Sequence, residues 1–139
     1  MANSGSFAAV DLGATSGRVI LGTLRDGRIP LQEPGRFDNT PQTIDGHLHW
    51  DFDLISSEIV KGLNAAIAAA GGRLDSLGID TWGVDYGRLD STERLIEHPF
   101  HYRDHRNEAV PEALSEQLGD AYLYSVAGLQ GQPVNTLYQ

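Results

Sequence analysis

The stretch Asp11-Leu12-Gly13-Ala14-Thr15-Ser16-Gly17-Arg18 concentrates the residue types that phosphate chemistry needs. Glycines at Gly13 and Gly17 allow a tight turn that presents successive backbone N–H groups to an anion. Thr15 and Ser16 add hydroxyl donors, and Arg18 adds a forked cation matched to phosphate oxygens. Asp11, closing an apolar run, is placed to hold a hydrated magnesium ion, which takes carboxylate, water and phosphate oxygens. The segment is neither a Walker loop nor a dinucleotide fingerprint, since it lacks a terminal Lys-Ser/Thr and leads into a strand. Read locally, it is equally a glycine-rich turn with an exposed arginine.

Histidines invite a metal reading. His47 and His49 alternate and share one face if that segment is a strand, and His98, His101 and His105 cluster. No third ligand stands at a recognised spacing and there is no His-Glu-x-x-His motif, so the sequence alone assigns no transition-metal site. Thr15 and Ser16 are not acyl-transfer nucleophiles, because no Gly-x-Ser-x-Gly elbow surrounds them.

The elements around the loop follow from pattern. Phe7 to Val10 and Val19 to Leu24 are apolar runs on either side of it, and Asp26-Gly27 is a hairpin turn signal. A third run reaches Phe37, with Pro30 and Pro34 demoting it to a sheet edge. Asp38 to Gly46 reads as a polar connector and His47 to Trp50 as a short strand. A helix is expected from an N-cap at Asp53, with Ile55, Ile59, Leu63, Ile67 and Ala70 on one face and Gly71-Gly72 as its stop. Leu77 to Ile79 predicts a buried strand ending at Asp80, and Thr81 to Leu89 a loop with a hairpin pair. Further helices are expected over Val110 to Leu118 and Ala121 to Val126. The result is an α/β fold with a mixed sheet in βββαβ order. Residues 1–6 are expected to be a disordered leader and residues 7–139 part of one domain that lacks its closing strand.

Composition limits the partners. The chain has 139 residues and a formal net charge of −9, so bulk charge does not favour nucleic acid or anionic membranes. It has no cysteine, which removes disulfides, thiolate metal sites and thiol nucleophiles. No apolar run approaches a membrane span and no signal peptide precedes Phe7, so a cytoplasmic location is the expectation.

In order and spacing, Ala9 to Val19, Arg36-Phe37-Asp38-Asn39, Trp50-Asp51, Gly78 to Tyr86 and His101-Tyr102-Arg103-Asp104 resemble the FGGY carbohydrate kinases of the actin/hexokinase-like ATPase superfamily. The Asp80-Thr81-Trp82-Gly83-Val84-Asp85 block is the most specific, and it is similar to the branch acting on L-rhamnulose. The resemblance implies an incomplete ribonuclease H-like, actin-like ATPase domain without its second domain. It implies transfer of the ATP γ-phosphoryl group, with Mg2+, to the 1-hydroxyl of L-rhamnulose. Ala14, Thr15, Ser16, Gly17 and Arg18 would hold ATP phosphates, and Asp11 the metal through water. Gly83 would let the sugar approach the backbone, Trp82 would wall the pocket and Asp85 would accept sugar hydroxyls.

Each of these assignments has a plainer reading. Trp82 is then a core aromatic, Asp85 a solvated turn carboxylate, Asp80 a cap, and Arg103, Asp104 and Arg106 an exposed ion-pair cluster of small energetic worth. The family's general-base aspartate and adenine pocket lie later in its sequence, so these residues alone are expected to be inactive. Unpaired sheet edges and helix faces would favour self-association. Two alternatives differ in class: a kinase of the same family for fuculose, xylulose or glycerol, separable by turnover on each sugar, and a non-catalytic phosphate-binding or interaction module.

Overall fold

The computed structural model describes residues 4–139. These form two compact units, one holding the described residues up to Thr40 together with Asp51–Trp82, the other Pro41–Trp50 together with Gly83–Gln139.

The first unit is built on the expected meander. β1 (Gly5–Leu12) pairs antiparallel with β2 (Ser16–Leu24), which pairs antiparallel with β3 (Leu31–Asp38). The turn between β2 and β3 centres on Asp26 and Gly27, with φ of 50° and 73°. Positive φ at both positions is what lets the strands keep their twist. β3 carries Pro34 and lies at the sheet edge, where a missing N–H costs no ladder bond.

The chain then crosses through α1 (Phe52–Ala69) to β6 (Ser76–Thr81), which pairs parallel with β1, giving the order β3-β2-β1-β6. The sheet is mixed, and its strands and helix follow in the βββαβ order that the pattern predicts. β1 starts at Gly5, so Gly5 and Ser6 are strand rather than leader; Ser6 accepts from the Asp75 N–H at 2.7 Å. Residues 1–3 of the expected leader lie outside the described residues.

α1 is capped by Asp51, whose carboxylate accepts from the Leu54 N–H at 3.0 Å; the expected cap, Asp53, lies inside the first turn. One face of the sheet (Val10, Val19, Leu21) meets Ala66, Ile59 and Leu63 of α1. The approach is close because two glycines face each other: a Cβ on Gly35 would lie 2.9 Å from the Gly62 Cα, and one on Gly62 would lie 2.5 Å from Val19. β6 departs from expectation, since every residue in it is exposed and Leu77 and Ile79 are about half accessible. Its apolar run reads as buried only if a neighbour covers it.

The second unit is less regular. β4 (Gln42–Ile44) and β5 (His47–His49) form a hairpin over Asp45-Gly46, both at positive φ, where a connector followed by one strand is expected. The hairpin pair expected between Thr81 and Leu89 is absent. Only an isolated bridge joins Leu89 to Leu95, and no continuous period-2 pattern supports more. α2 (Val110–Leu118) and α3 (Asp120–Ala127) stand where the 3.6-residue period places them. Among the described residues no helix is long and apolar enough to cross a membrane.

Candidate functional site

In the first unit, the residues joining β1 to β2 are Gly13-Ala14-Thr15. The Gly13 N–H donates to the Ser16 carbonyl at 2.9 Å and closes the turn. Asn39, only 2% exposed, reaches this turn from the end of β3. Its backbone N–H donates to the Thr15 carbonyl at 3.0 Å, and its Nδ2 donates to the Gly13 carbonyl at 3.1 Å. Both carbonyls are thereby turned into the protein, while the Ala14 and Thr15 N–H groups make no hydrogen bond among the described residues. Satisfied carbonyls beside N–H groups that no other described residue engages suit an anion.

Asn39 had no role in the sequence reading beyond its place in a family block. Its side-chain bond spans 26 residues, and no local spacing rule reaches that far. Gly17 serves a different purpose from the one expected. Neither Gly13 nor Gly17 has positive φ, and a Cβ on Gly17 would run into the Phe37 ring. Gly17 is a packing requirement of the sheet.

Arg18 and Asp11 are direct cross-strand partners and form an ion pair. Arg18 donates from Nε and Nη2 to Asp11 Oδ2 at 2.8 and 2.5 Å, with both side chains about two-fifths exposed. The register extends further, because Arg18 is opposite Arg36 on β3 and Asp11 is opposite Asp80 on β6. Directly opposed residues share a sheet face, so Arg36, Arg18, Asp11 and Asp80 form one row of two cations then two carboxylates. Arg36 is paired with Glu33, whose carboxyl is held low by that hydrogen bond. The row lies on the face opposite the core, since Val10 and Val19, the neighbours of Asp11 and Arg18, are buried. Such a row offers a cation for phosphate oxygens beside hard oxygen donors for a divalent ion.

Trp82, at the end of the first unit, is half-buried rather than a core aromatic. In the second unit Gly83 has no positive φ, and a Cβ added there would meet nothing within 4 Å. Neither backbone conformation nor packing among the described residues calls for glycine at that position. Asp85 is not a solvated turn carboxylate. It accepts from the indole N–H of Trp50, itself 2% exposed, and from Gln139 Nε2 at 3.3 Å.

The basic and aromatic segment also differs from expectation. Asp104 is not part of an exposed cluster, since its side chain is fully buried. It caps the short 3-10 turn His105–Asn107 and accepts from the Leu48 N–H at 2.7 Å, the Arg106 N–H at 3.1 Å and His47 Nδ1 at 3.1 Å. Burial opposes its ionisation, but the two backbone donors and His47 outweigh that and hold the carboxyl down at about 2. Arg106 lies over the Phe100 ring at 3.9 Å, and Arg103 over Tyr102 at 5.2 Å. His101 is buried against Trp50, and that burial pushes its pKa down. His47 and His49 do share a face, both meeting Phe100.

No protein-family profile matches the chain. Proteins named rhamnulokinase do: one from Klebsiella pneumoniae (strain 342) is 45% identical over 133 residues and one from Bacillus subtilis (strain 168) 38% over 133. These alignments cover 94% and 96% of the chain and 27% of each relative, so the chain spans about a quarter of their length. A gluconate kinase from Lactobacillus acidophilus superposes with a TM-score of 0.80 at 14% identity, covering 98% of this chain and 27% of that one. A ligand-bound xylulose kinase from the same organism gives 0.79 at 15%, covering 96% and 27%. These two show the fold, that of the FGGY kinases with their actin-like ATPase architecture. The chain matches an N-terminal fragment of the rhamnulokinases, as the sequence blocks imply.

Proposed function

We propose that these residues are the phosphate-binding part of a carbohydrate kinase that moves the γ-phosphoryl group of ATP to the 1-hydroxyl of L-rhamnulose, in the cytoplasm. The observation that carries this reading is 38–45% identity to rhamnulokinases over 94–96% of the chain. The gluconate and xylulose kinases, at 14–15%, share the fold only.

The residues fit the chemistry. Phosphoryl transfer asks for in-line positioning and neutralised phosphate charge. The unbonded N–H groups of Ala14 and Thr15, the hydroxyls of Thr15 and Ser16, and Arg18 beside Gly17 supply anion donors. Asp11 offers a free Oδ1 on a partly exposed carboxylate, a hard donor suited to hydrated Mg2+. When bound, that ion neutralises charge developing on the phosphates. Arg18 and Asp11 hold each other in place, so ligand binding must exchange their ion pair for contacts to phosphate and hydrated metal. A glycine at 83 that nothing among the described residues requires supports close approach of the sugar to the backbone, with Trp82 and Asp85 beside it in sequence.

Within the 139 residues no carboxylate matches the family's general base, so these residues alone are proposed not to turn over. They are also proposed to self-associate through the exposed β6 edge. The test is ADP release by the longer protein carrying these residues, on L-rhamnulose, L-fuculose, xylulose and glycerol, and by residues 1–139 alone. Preference for L-rhamnulose, with none released by the short chain, is the expected result. Equal or better turnover on another sugar would remove the assignment of substrate.

A further inference from the structure

We propose that His47, Asp104 and His105 form a binding site for a first-row transition-metal ion, with the Asp104 carboxylate as its central ligand. The second unit brings these residues together from the β5 hairpin and the 3-10 turn. One donor atom from each lies within 4.8 Å of the others. His47 Nδ1 stands 3.1 and 3.3 Å from the two Asp104 oxygens, and His105 Nδ1 stands 3.8 Å from Asp104 Oδ2. The two imidazoles stack, with centroids 5.1 Å apart and planes 7° apart, and each ring's Nδ1 lies against the same carboxylate, so a turn of the exposed His105 ring brings both onto one ion.

Metal–nitrogen and metal–oxygen bonds of about 2.0–2.2 Å in a tetrahedron put ligand atoms roughly 3.3–3.5 Å apart. His47 and Asp104 already have that separation. His105 must move by only about an ångström, and its side chain is 63% exposed and able to do so.

The donor set decides the class of ion. Two imidazoles and a carboxylate suit zinc, nickel, cobalt or copper, whereas magnesium and calcium prefer all-oxygen shells. The surroundings do what an outer shell does for ligands. Leu48 and Arg106 N–H groups hold the carboxylate in one orientation. Arg106 opposes a cation, but its Nη1 is 3.5 Å from Oδ1, while His105 approaches Oδ2. A carboxylate oxygen has lone pairs for both an N–H and a metal. With three protein ligands, and His47 and His105 partly open to solvent, the fourth position falls to water. The ion would tie the β5 hairpin to the 3-10 turn, independently of the kinase reading.

The test is titration of the untagged chain with Zn2+ by calorimetry, together with Co2+ absorption and thermal melting. Expected are one ion per chain, tetrahedral Co2+ bands and a higher melting temperature with Zn2+. His105→Ala and His47→Gln should each weaken Zn2+ binding by at least about tenfold, with circular dichroism confirming that both are folded, while Glu116→Gln, exposed on α2, leaves it unchanged. The proposal is overturned by non-saturable uptake, by Zn2+ binding that survives both histidine variants, or by Zn2+ displaced by millimolar Mg2+.

Discussion

Two aspartates carry opposite designs in the two units. Asp11 pairs with Arg18 on an open sheet face, each about two-fifths exposed, and its carboxylate keeps one oxygen uncommitted. Asp104 is wholly buried, receives two backbone N–H groups and a histidine, and holds the β5 hairpin to the turn after it. An exposed ion pair contributes little to stability because water screens it. A buried carboxylate with its donors removed leaves those donors unsatisfied, which is costly. The contrast separates an exposed pair that can exchange partners from a buried carboxylate whose bonds also hold its unit together. It makes the exposed pair the better candidate for chemistry.

The largest expected effect tests the buried side. Asp104→Ala should destabilise the second unit by about 3–5 kcal/mol in urea unfolding followed by Trp50 fluorescence, because Leu48, Arg106 and His47 lose their acceptor. A loss below about 1 kcal/mol would break the comparison.

Gly62→Ala comes next and tests the first unit's core. Alanine gains about 1 kcal/mol in helix propensity, but its methyl meets Val19, which is 0% exposed and has no room to yield. Overpacking of about 1–3 kcal/mol should win, giving a net loss. A gain in melting temperature would show that the helix can rise from the sheet.

Acid sharpens the contrast without mutation. The Asp104 carboxyl titrates at about 2 in the folded chain against an ordinary 3.8. Its folded pKa is lowered, so its stabilisation is complete above the unfolded value and is lost as pH falls through the folded one. In chelator-treated buffer the second unit should therefore lose about 2 kcal/mol between pH 4 and pH 2, read by amide exchange.

Arg18→Ala should be nearly silent in stability, within about 1 kcal/mol, yet abolish any MgATP-dependent chemical-shift changes at Ala14 and Thr15. Gly83→Ala is the smallest effect, within about 0.5 kcal/mol, because the added methyl meets open space. In the longer protein the same change should raise the KM for sugar, which a merely structural glycine would not do.

What could be read from the residues was local. The Asp26-Gly27 turn, the edge position of β3, the βββαβ order and helices α1 to α3 follow from period and turn chemistry, each acting over a few residues. The Gly13–Thr15 turn was legible for the same reason, as were the family blocks. Tertiary structure alone decided that Asn39 anchors that turn across 26 residues, that Gly17 is glycine for Phe37, and that Asp104 stands between His47 and His105 across 57. It also decided that β6, apolar by composition, is exposed. Periodicity reports which face of an element is apolar. It does not report what meets that face, because that depends on strand order and on which distant donor reaches a buried acceptor.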